Sequence, residues 1–291
     1  MNTPILFIIY NRPDTTQLVF EEIKKIKPKY LYVAGDGPKK QQDIKLCEKT
    51  RSIIDQIDWD VDLKTRFLDT NIGCKHGVSS AINWFFDHVE LGIILEDDCI
   101  PHPDFFSYAT NLLHYYQSDN RIMMISGTNY LLDELSKNIK YSYFFSKYFA
   151  IWGWATWKRA WKLYDIEMKN WPDIKKRNQL ASFFRQDYMQ EKLTYEFDLA
   201  YSGKINTWDI QWVYSCLFQN ALSVVPKTNL ISNIGVSGTH TNEDTKNNFF
   251  PTFKLNTTEL IHPPIIHPEI TYEDEFFLRQ FKPKKKKFKL F

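Results

Sequence analysis

The chain has 291 residues, of which 43% are hydrophobic and 25% charged, the balance of a globular protein with length for one large domain or two small ones. Its net charge is +2, but the closing stretch KPKKKKFKLF carries six lysines, and +2 less those six leaves −4 for the rest. A mildly acidic body excludes general nucleic-acid binding by the fold, and no stretch approaches the ~20 apolar residues of a membrane span.

The apolar run at 5–10 is short and has no basic region before it, so no secretory leader is expected. Cys47, Cys74, Cys99 and Cys216 are scattered without CxxC spacing and read as reduced thiols in a cytoplasmic protein. Aromatic residues make up 16% of the chain. Such density builds cores, and it also suits sugar clefts, where a flat ring stacks on C–H faces.

ILFII (5–9) opens the chain as a buried strand. DTTQLVFEEIKKI follows as a helix, with Asp14 as N-cap, Gln17 three residues on and Pro28 as the stop. YLYVA (30–34) and TRFL (65–68) are the next strands, and HGVSSAINWFFDHV gathers Val78, Ala81, Ile82, Phe85 and Val89 on one helical face. GIIL (92–95) runs straight into Glu96, Asp97 and Asp98. FFSYATNLLHYY is again helical, with Phe105, Ala109, Leu112 and Tyr116 on one face, and IMMIS (122–126) is a fifth strand. Continuous apolar strands alternating with helices predict an α/β fold, a mostly parallel sheet flanked by helices. Ligands of such sheets sit beyond the carboxyl ends of the strands. That rule puts the three carboxylates at the mouth of the sheet.

The second half is different in character. YFAIWGWATWKRAW (148–161) sets Trp154, Trp157 and Trp161 at helical spacing, and a long helix is expected from about 178 to 201. NTWDIQW (206–212), a strand at LSVVP (222–226) and the glycine-bearing loop NIGVSGTHTN (233–242) follow. Beyond 250 the chain is Pro-rich and is expected to wrap the body.

Each candidate has a plain and a chemical reading. The acidic triplet is either a solvated turn capping the helix near Pro103, or the seat of Mg²⁺ or Mn²⁺ held by one carboxylate and completed by substrate phosphates. In the second case Asp98 is the direct ligand, and Glu96 and Asp97 orient sugar or ribose hydroxyls. Asp209, between Trp208 and Trp212, is either the N-cap of a helix 210–219 or a general base whose proton affinity gains from partial desolvation. His240 is a surface loop residue or a second metal ligand. Lys75 and His76 belong to an ordinary basic loop or meet a diphosphate at a helix N-terminus. Trp152 and Trp154 are expected on the acceptor side, the remaining indoles in the core.

The ordered set of these blocks resembles glycosyltransferases of the GT-A fold, in particular the β-1,2-N-acetylglucosaminyltransferase I family. EDDCIPHPDFF is similar to that family's acidic triplet and following helix, and the similarity runs from about residue 4 to 240. The resemblance implies a Rossmann-like GT-A sheet with nucleotide-sugar-binding residues 1–130, an acceptor-binding and catalytic half at 131–250, and a C-terminal extension at 251–291. From ILFIIYNRP it implies Arg12 near the nucleotide phosphates, with Tyr10 beside it as a substrate-binding residue, and from VAGDGP it implies Asp36 accepting from uracil N3. ISGTN implies Asn129 in the donor pocket, TWDIQW implies Asp209 as catalytic base, and NIGVSG implies Val236 and Ser237 in a loop closing over the nucleotide. The implied reaction is inverting transfer from a UDP-sugar to a hydroxyl of a glycan or glycolipid acceptor, with Mn²⁺ or Mg²⁺ as cofactor. Rival readings are a sugar-nucleotide pyrophosphorylase, which wants a Gly-rich loop that YNRPDTT lacks, and a non-catalytic glycan-binding relative. The lysine tail suggests attachment to the inner face of an anionic membrane.

Overall fold

The computed structural model describes residues 1–131, 138–235 and 251–281, with the side chains of 276–281 excepted; Val236, Ser237, His240 and the lysine tail lie outside the described residues. Ile5–Ile9 forms β1 with all five residues buried. Ile5, Phe7 and Ile9 face one apolar cluster and Leu6 and Ile8 the other. The period-2 alternation of a strand thus feeds two cores at once, which is why the run is apolar throughout.

The other strands are β2 (Tyr30–Gly35), β3 (Asp62–Phe67), β4 (Leu91–Glu96), β5 (Cys99–Pro101), β6 (Ile122–Ser126), β7 (Tyr143–Ser146), β8 (Trp154–Trp157), β9 (Leu222–Pro226) and β10 (Ile231–Asn233). The main sheet has eight strands in the order β3-β2-β1-β4-β8-β6-β9-β7. β1 pairs in parallel with β2 and β4, and β2 with β3. β8 is antiparallel to both neighbours, and β7 is antiparallel to β9. The chain winds outward through β2 and β3 and then returns to the far side of β1 as β4. The order therefore reverses between β1 and β4, and there the loops leaving the strands diverge and open a crevice. The fold is the expected α/β architecture, a mainly parallel sheet covered by helices.

Helices α1 (Pro13–Ile26), α2 (Gln41–Arg51), α3 (Gly73–His88) and α4 (Pro103–Tyr115) fill the first half. In the second lie α5 (Lys158–Trp161), α6 (Trp171–Lys176), α7 (Asp187–Tyr201), α8 (Asp209–Phe218) and α9 (Ile270–Phe281). Four expectations need correcting. Asp14 does not cap α1; Arg12 occupies the N-cap position, and Pro13 starts the helix with its φ already fixed. The carboxylates do not cap α4, because His102 Nδ1 accepts from Asp104 N–H instead. Trp154 and Trp157 belong to a strand, not a helix, and only the single turn Lys158–Trp161 is helical. The helix expected from 178 is shorter: Asn178 takes φ 51°, a 3-10 turn spans Gln179–Ser182, and α7 starts at Asp187.

Candidate active site

The crevice between β1 and β4 is lined by the residues that leave those strands. Arg12 leaves β1 and its guanidinium spans two carboxylates, donating from Nη1 to Asp98 Oδ2 at 2.8 Å and from Nη2 to Asp97 Oδ1. Asp97 is 2% exposed. Its Oδ2 accepts from Tyr10 N–H at 3.1 Å and from the Thr16 hydroxyl at 3.5 Å. Asp97 therefore ties the exit of β4 to the exit of β1 and aims Arg12.

Three adjacent carboxyl groups against one guanidinium leave surplus negative charge. Burial pushes the Asp97 carboxyl up to about 6, against the pull of Arg12. Glu96 rises well above the usual carboxylate range, through burial and then the charges of Asp98, Asp97 and Asp209. Burial works against the Arg12 charge, but Asp97 and Asp98 outweigh it and raise its proton affinity. The charge of Asp209, at the start of α8 and 113 positions later in the chain, also acts on Glu96. Cys74, at the start of α3, stands on a third side. It is solvent-exposed, yet its thiol is pushed up to about 12 by its enclosed position and by Glu96, Asp209 and Asp36.

Asp209 is the first residue of α8; Trp208 takes the N-cap position, and the Thr207 hydroxyl donates to Asp209 Oδ1. Trp208, 2% exposed, stacks on Trp154 at 5.7 Å and 20°, and Trp212 packs on Trp154 at 5.5 Å. This indole cluster fixes the helix that carries Asp209. Trp154, with no exposed surface, is a support of that helix and cannot touch an acceptor; Trp152 keeps part of its surface open.

Four further expectations change. Asn129 has no exposed surface and offers nothing to a donor: its amide donates to the carbonyls of Pro226 and Lys227 and accepts from Leu131 N–H, holding the loop after β6 against β9. Asp36 accepts from the N–H groups of Gly37, Ile72 and Gly73, which makes it the cap of α3 and leaves a uracil N3–H only a shared place. Asn206 Oδ1 takes Lys75 N–H at 2.7 Å, so side chains of this chain already occupy the amide donors at the start of α3. Lys75 Nζ turns to Glu167 at 3.5 Å. The Tyr10 side chain points away from the carboxylates, its hydroxyl accepting from Lys39 N–H near Asp43.

Asp98 differs from its neighbours. Its side chain is 15% exposed, and the antiparallel pairing of β10 with β5 brings Ile234 and Gly235 across it. Ile234 N–H donates to the Asp98 carbonyl at 2.8 Å. A Cβ at position 235 would fall 2.4 Å from Asp98 Oδ2, so the close approach requires glycine. Among the described residues no three His, Cys, Asp or Glu side chains converge to hold a metal. The donor set therefore does not fit an all-protein cage. It fits a hard divalent cation held by Asp98 alone, with substrate oxygens completing the shell.

Sequence reasoning missed Cys74 and Asn206, whose roles depend on contacts between distant stretches. No helix among the described residues is long and apolar enough to cross a membrane.

No family model matches the chain, and no curated protein matches it. Solved structures similar to it include a cytidylyltransferase from Leptospira borgpetersenii serovar Hardjo-bovis, at 13% identity and a TM-score of 0.35 over 56% of this chain. Staphylococcus aureus TarS 1-349 matches over 56% at 14% identity and a TM-score of 0.35. A 4-diphosphocytidyl-2C-methyl-D-erythritol synthase from Anaerococcus prevotii matches over 64%, at 10% identity and a TM-score of 0.31, and covers 85% of that chain. The matched region spans 63% and 49% of the first two chains, less than two thirds of either.

Proposed function

We propose that the chain is a glycosyltransferase that moves a sugar from a UDP-sugar to an acceptor hydroxyl with inversion. One observation carries this reading: Glu96, Asp97, Asp98 and Asp209, from two distant stretches, converge with Arg12 at the point where the strand order reverses. A crevice of this kind suits a nucleotide. When bound at Asp98, Mn²⁺ or Mg²⁺ supplies charge stabilisation to the departing diphosphate.

The residues divide the work. Arg12 faces the diphosphate and offsets its charge. Glu96, whose proton affinity is raised by burial and by Asp98, Asp97 and Asp209, faces a sugar or ribose hydroxyl. Asp209 accepts the proton of the acceptor hydroxyl; the acceptor oxygen bonds to the anomeric carbon as the carbon–phosphate oxygen bond breaks, and UDP leaves with that electron pair. Asp97 acts through Arg12. Val236 and Ser237 follow directly on Gly235, which lies against Asp98, and this supports a role for them near the bound donor.

The experiment is a UDP-release screen over UDP-sugars, with Mn²⁺ and with chelator. Slow hydrolysis of one donor in Mn²⁺, lost in Asp98→Ala, supports the reading. Equal release in chelator removes the metal from it, and tight UDP binding without release from any donor favours a non-catalytic binder.

A further inference from the structure

The two-stranded ribbon beside Asp98 does more than bring Gly235 across it. β10 and β5 pair antiparallel, with Asn233 opposite Cys99. Ile234 N–H donates to the Asp98 carbonyl and His102 N–H to the Leu230 carbonyl, each at 2.8 Å. Main-chain bonds alternate along such a ladder, so the Asn233–Cys99 pair falls between bonded pairs, where opposed side chains come closest.

Three contacts run across that pair. Gly235 N–H donates to Asn233 Oδ1 at 2.9 Å. This donor fixes which way the amide faces, because only its oxygen can accept. The nitrogen is thereby turned to Cys99, and Nδ2 donates to Cys99 Sγ at 3.6 Å. The thiol donates in turn to Asp98 Oδ1 at 3.4 Å. The ring of contacts closes at Gly235, where a Cβ would stand 2.4 Å from Asp98 Oδ2 and 3.1 Å from Asn233 Oδ1.

Sulfur is a weak donor and a weak acceptor, so these contacts contribute little stability. Their value is directional. The last torsion of an aspartate is broad, and here a thiol on Oδ1 and Arg12 on Oδ2 hold the carboxylate in one setting. Cys99 is 1% exposed, so the oxygen it holds is the one turned to the protein.

We infer that Cys99 and Asn233 are positioning residues of the proposed cation site, a role that rests on the reading of Asp98 as the cation's protein ligand. They hold Oδ1 so that the carboxylate offers a divalent cation Oδ2 alone. Ligation by a single oxygen suits Mg²⁺ or Mn²⁺, whose shell is otherwise filled by water and phosphate oxygens. Asn233 acts through Cys99 and Cys99 through Asp98, and neither touches the cation. Removing a hydrogen-bond partner of a metal-binding carboxylate typically costs roughly 10–100-fold in metal affinity.

The test is Mn²⁺ binding to the full chain, with and without saturating UDP, read from the electron paramagnetic resonance signal of free Mn²⁺ against a protein-free UDP control. Thermal unfolding of each metal-free variant is measured alongside. Cys99→Ala and Asn233→Ala should each weaken Mn²⁺ roughly 10-fold. Cys99→Ser, whose hydroxyl can accept from Asn233 and donate to Asp98, should stay within about threefold of wild type. Asn233 is only half-buried, so its variant carries the test if Cys99→Ala does not fold. If Asp98→Ala loses Mn²⁺ while Cys99→Ala and Asn233→Ala bind it as wild type does, even at lowered melting temperatures, the pair is structural only. The positioning role is then overturned, and the cation reading of Asp98 stands. If the wild type takes up no Mn²⁺, or Asp98→Ala takes it up equally, the cation reading falls and the positioning role falls with it.

Discussion

Replacing Arg12 with Met should destabilise the protein in a pH-dependent way. Asp97 has a folded-state carboxyl near 6 against an ordinary value of 3.8. Its ionisation thus already costs stability as pH rises between those values, by about 3 kcal/mol in full, at 1.36 kcal/mol per unit. Arg12 keeps that cost from growing. Without it, Asp97 is a buried carboxylate with only Tyr10 N–H and the Thr16 hydroxyl as donors. Breaking a buried ion pair costs about 3–5 kcal/mol, and because the Arg12 side chain is 28% exposed, the low end, ~3 kcal/mol, applies at pH 8. At pH 5 Asp97 is protonated in the folded wild type and variant alike, and the loss should shrink to ~1 kcal/mol, a single hydrogen bond. At roughly 2–4 °C per kcal/mol for a chain of this size, the variant should melt roughly 6–12 °C below wild type at pH 8, and a few degrees below at pH 5. Thermal unfolding by circular dichroism at both pH values, without nucleotide, measures this. Equal losses at the two pH values, or none at pH 8, would refute the electrostatic account of the turn.

Asp209→Asn should bind UDP normally and turn over roughly 10²–10⁴-fold more slowly, the size of a general-base contribution; near-normal turnover would remove Asp209 from the chemistry. Asn206→Ala should lose about 1 kcal/mol of stability, because Lys75 N–H at the start of α3 loses its acceptor, and an unchanged urea midpoint would contradict that role. Deleting 282–291 should end pelleting with anionic vesicles at low salt without changing UDP affinity, since each lysine near such a surface contributes about 1 kcal/mol; undiminished pelleting by the shortened chain would exclude the tail as anchor.

How much of this was legible in the sequence depends on the physics of each element. β1, β2, β4, β6 and β9 announce themselves because both faces are buried and the runs are apolar. β3 is an edge strand, exposed or half-buried along its length, so hydrogen bonds to β2 define it and its composition does not. β8 deceives for the opposite reason: Trp154 feeds one core while Ala155 and Trp157 feed the other. With both faces apolar, the period-2 signal vanishes and the Trp spacing imitates a helix. The acidic turn was legible because three charges at the end of an apolar strand need an explanation. Asn129 and Asp36 were misplaced because an amide or carboxylate that holds backbone reads like one that holds ligand.

The three adjacent carboxyl groups of the β4 exit are not interchangeable, and the difference follows from where the strand ends. Glu96 is still in β4, in register with Ile8, and its charge is suppressed by burial and by its neighbours. Asp97 turns inward and spends its oxygens on Tyr10, Thr16 and Arg12. Asp98 turns to the opening, where Arg12 holds one oxygen and Gly235 leaves it room. One has its proton affinity raised, one is a buried anchor, and one keeps part of its side chain open. A cation arriving at Asp98 would compete with Arg12 for the same oxygen, and the displaced guanidinium would stay bonded to Asp97 beside the incoming diphosphate. Without a cation, the Arg12 bridge satisfies the turn. Under the proposed function, the same arginine would then be available for the phosphates.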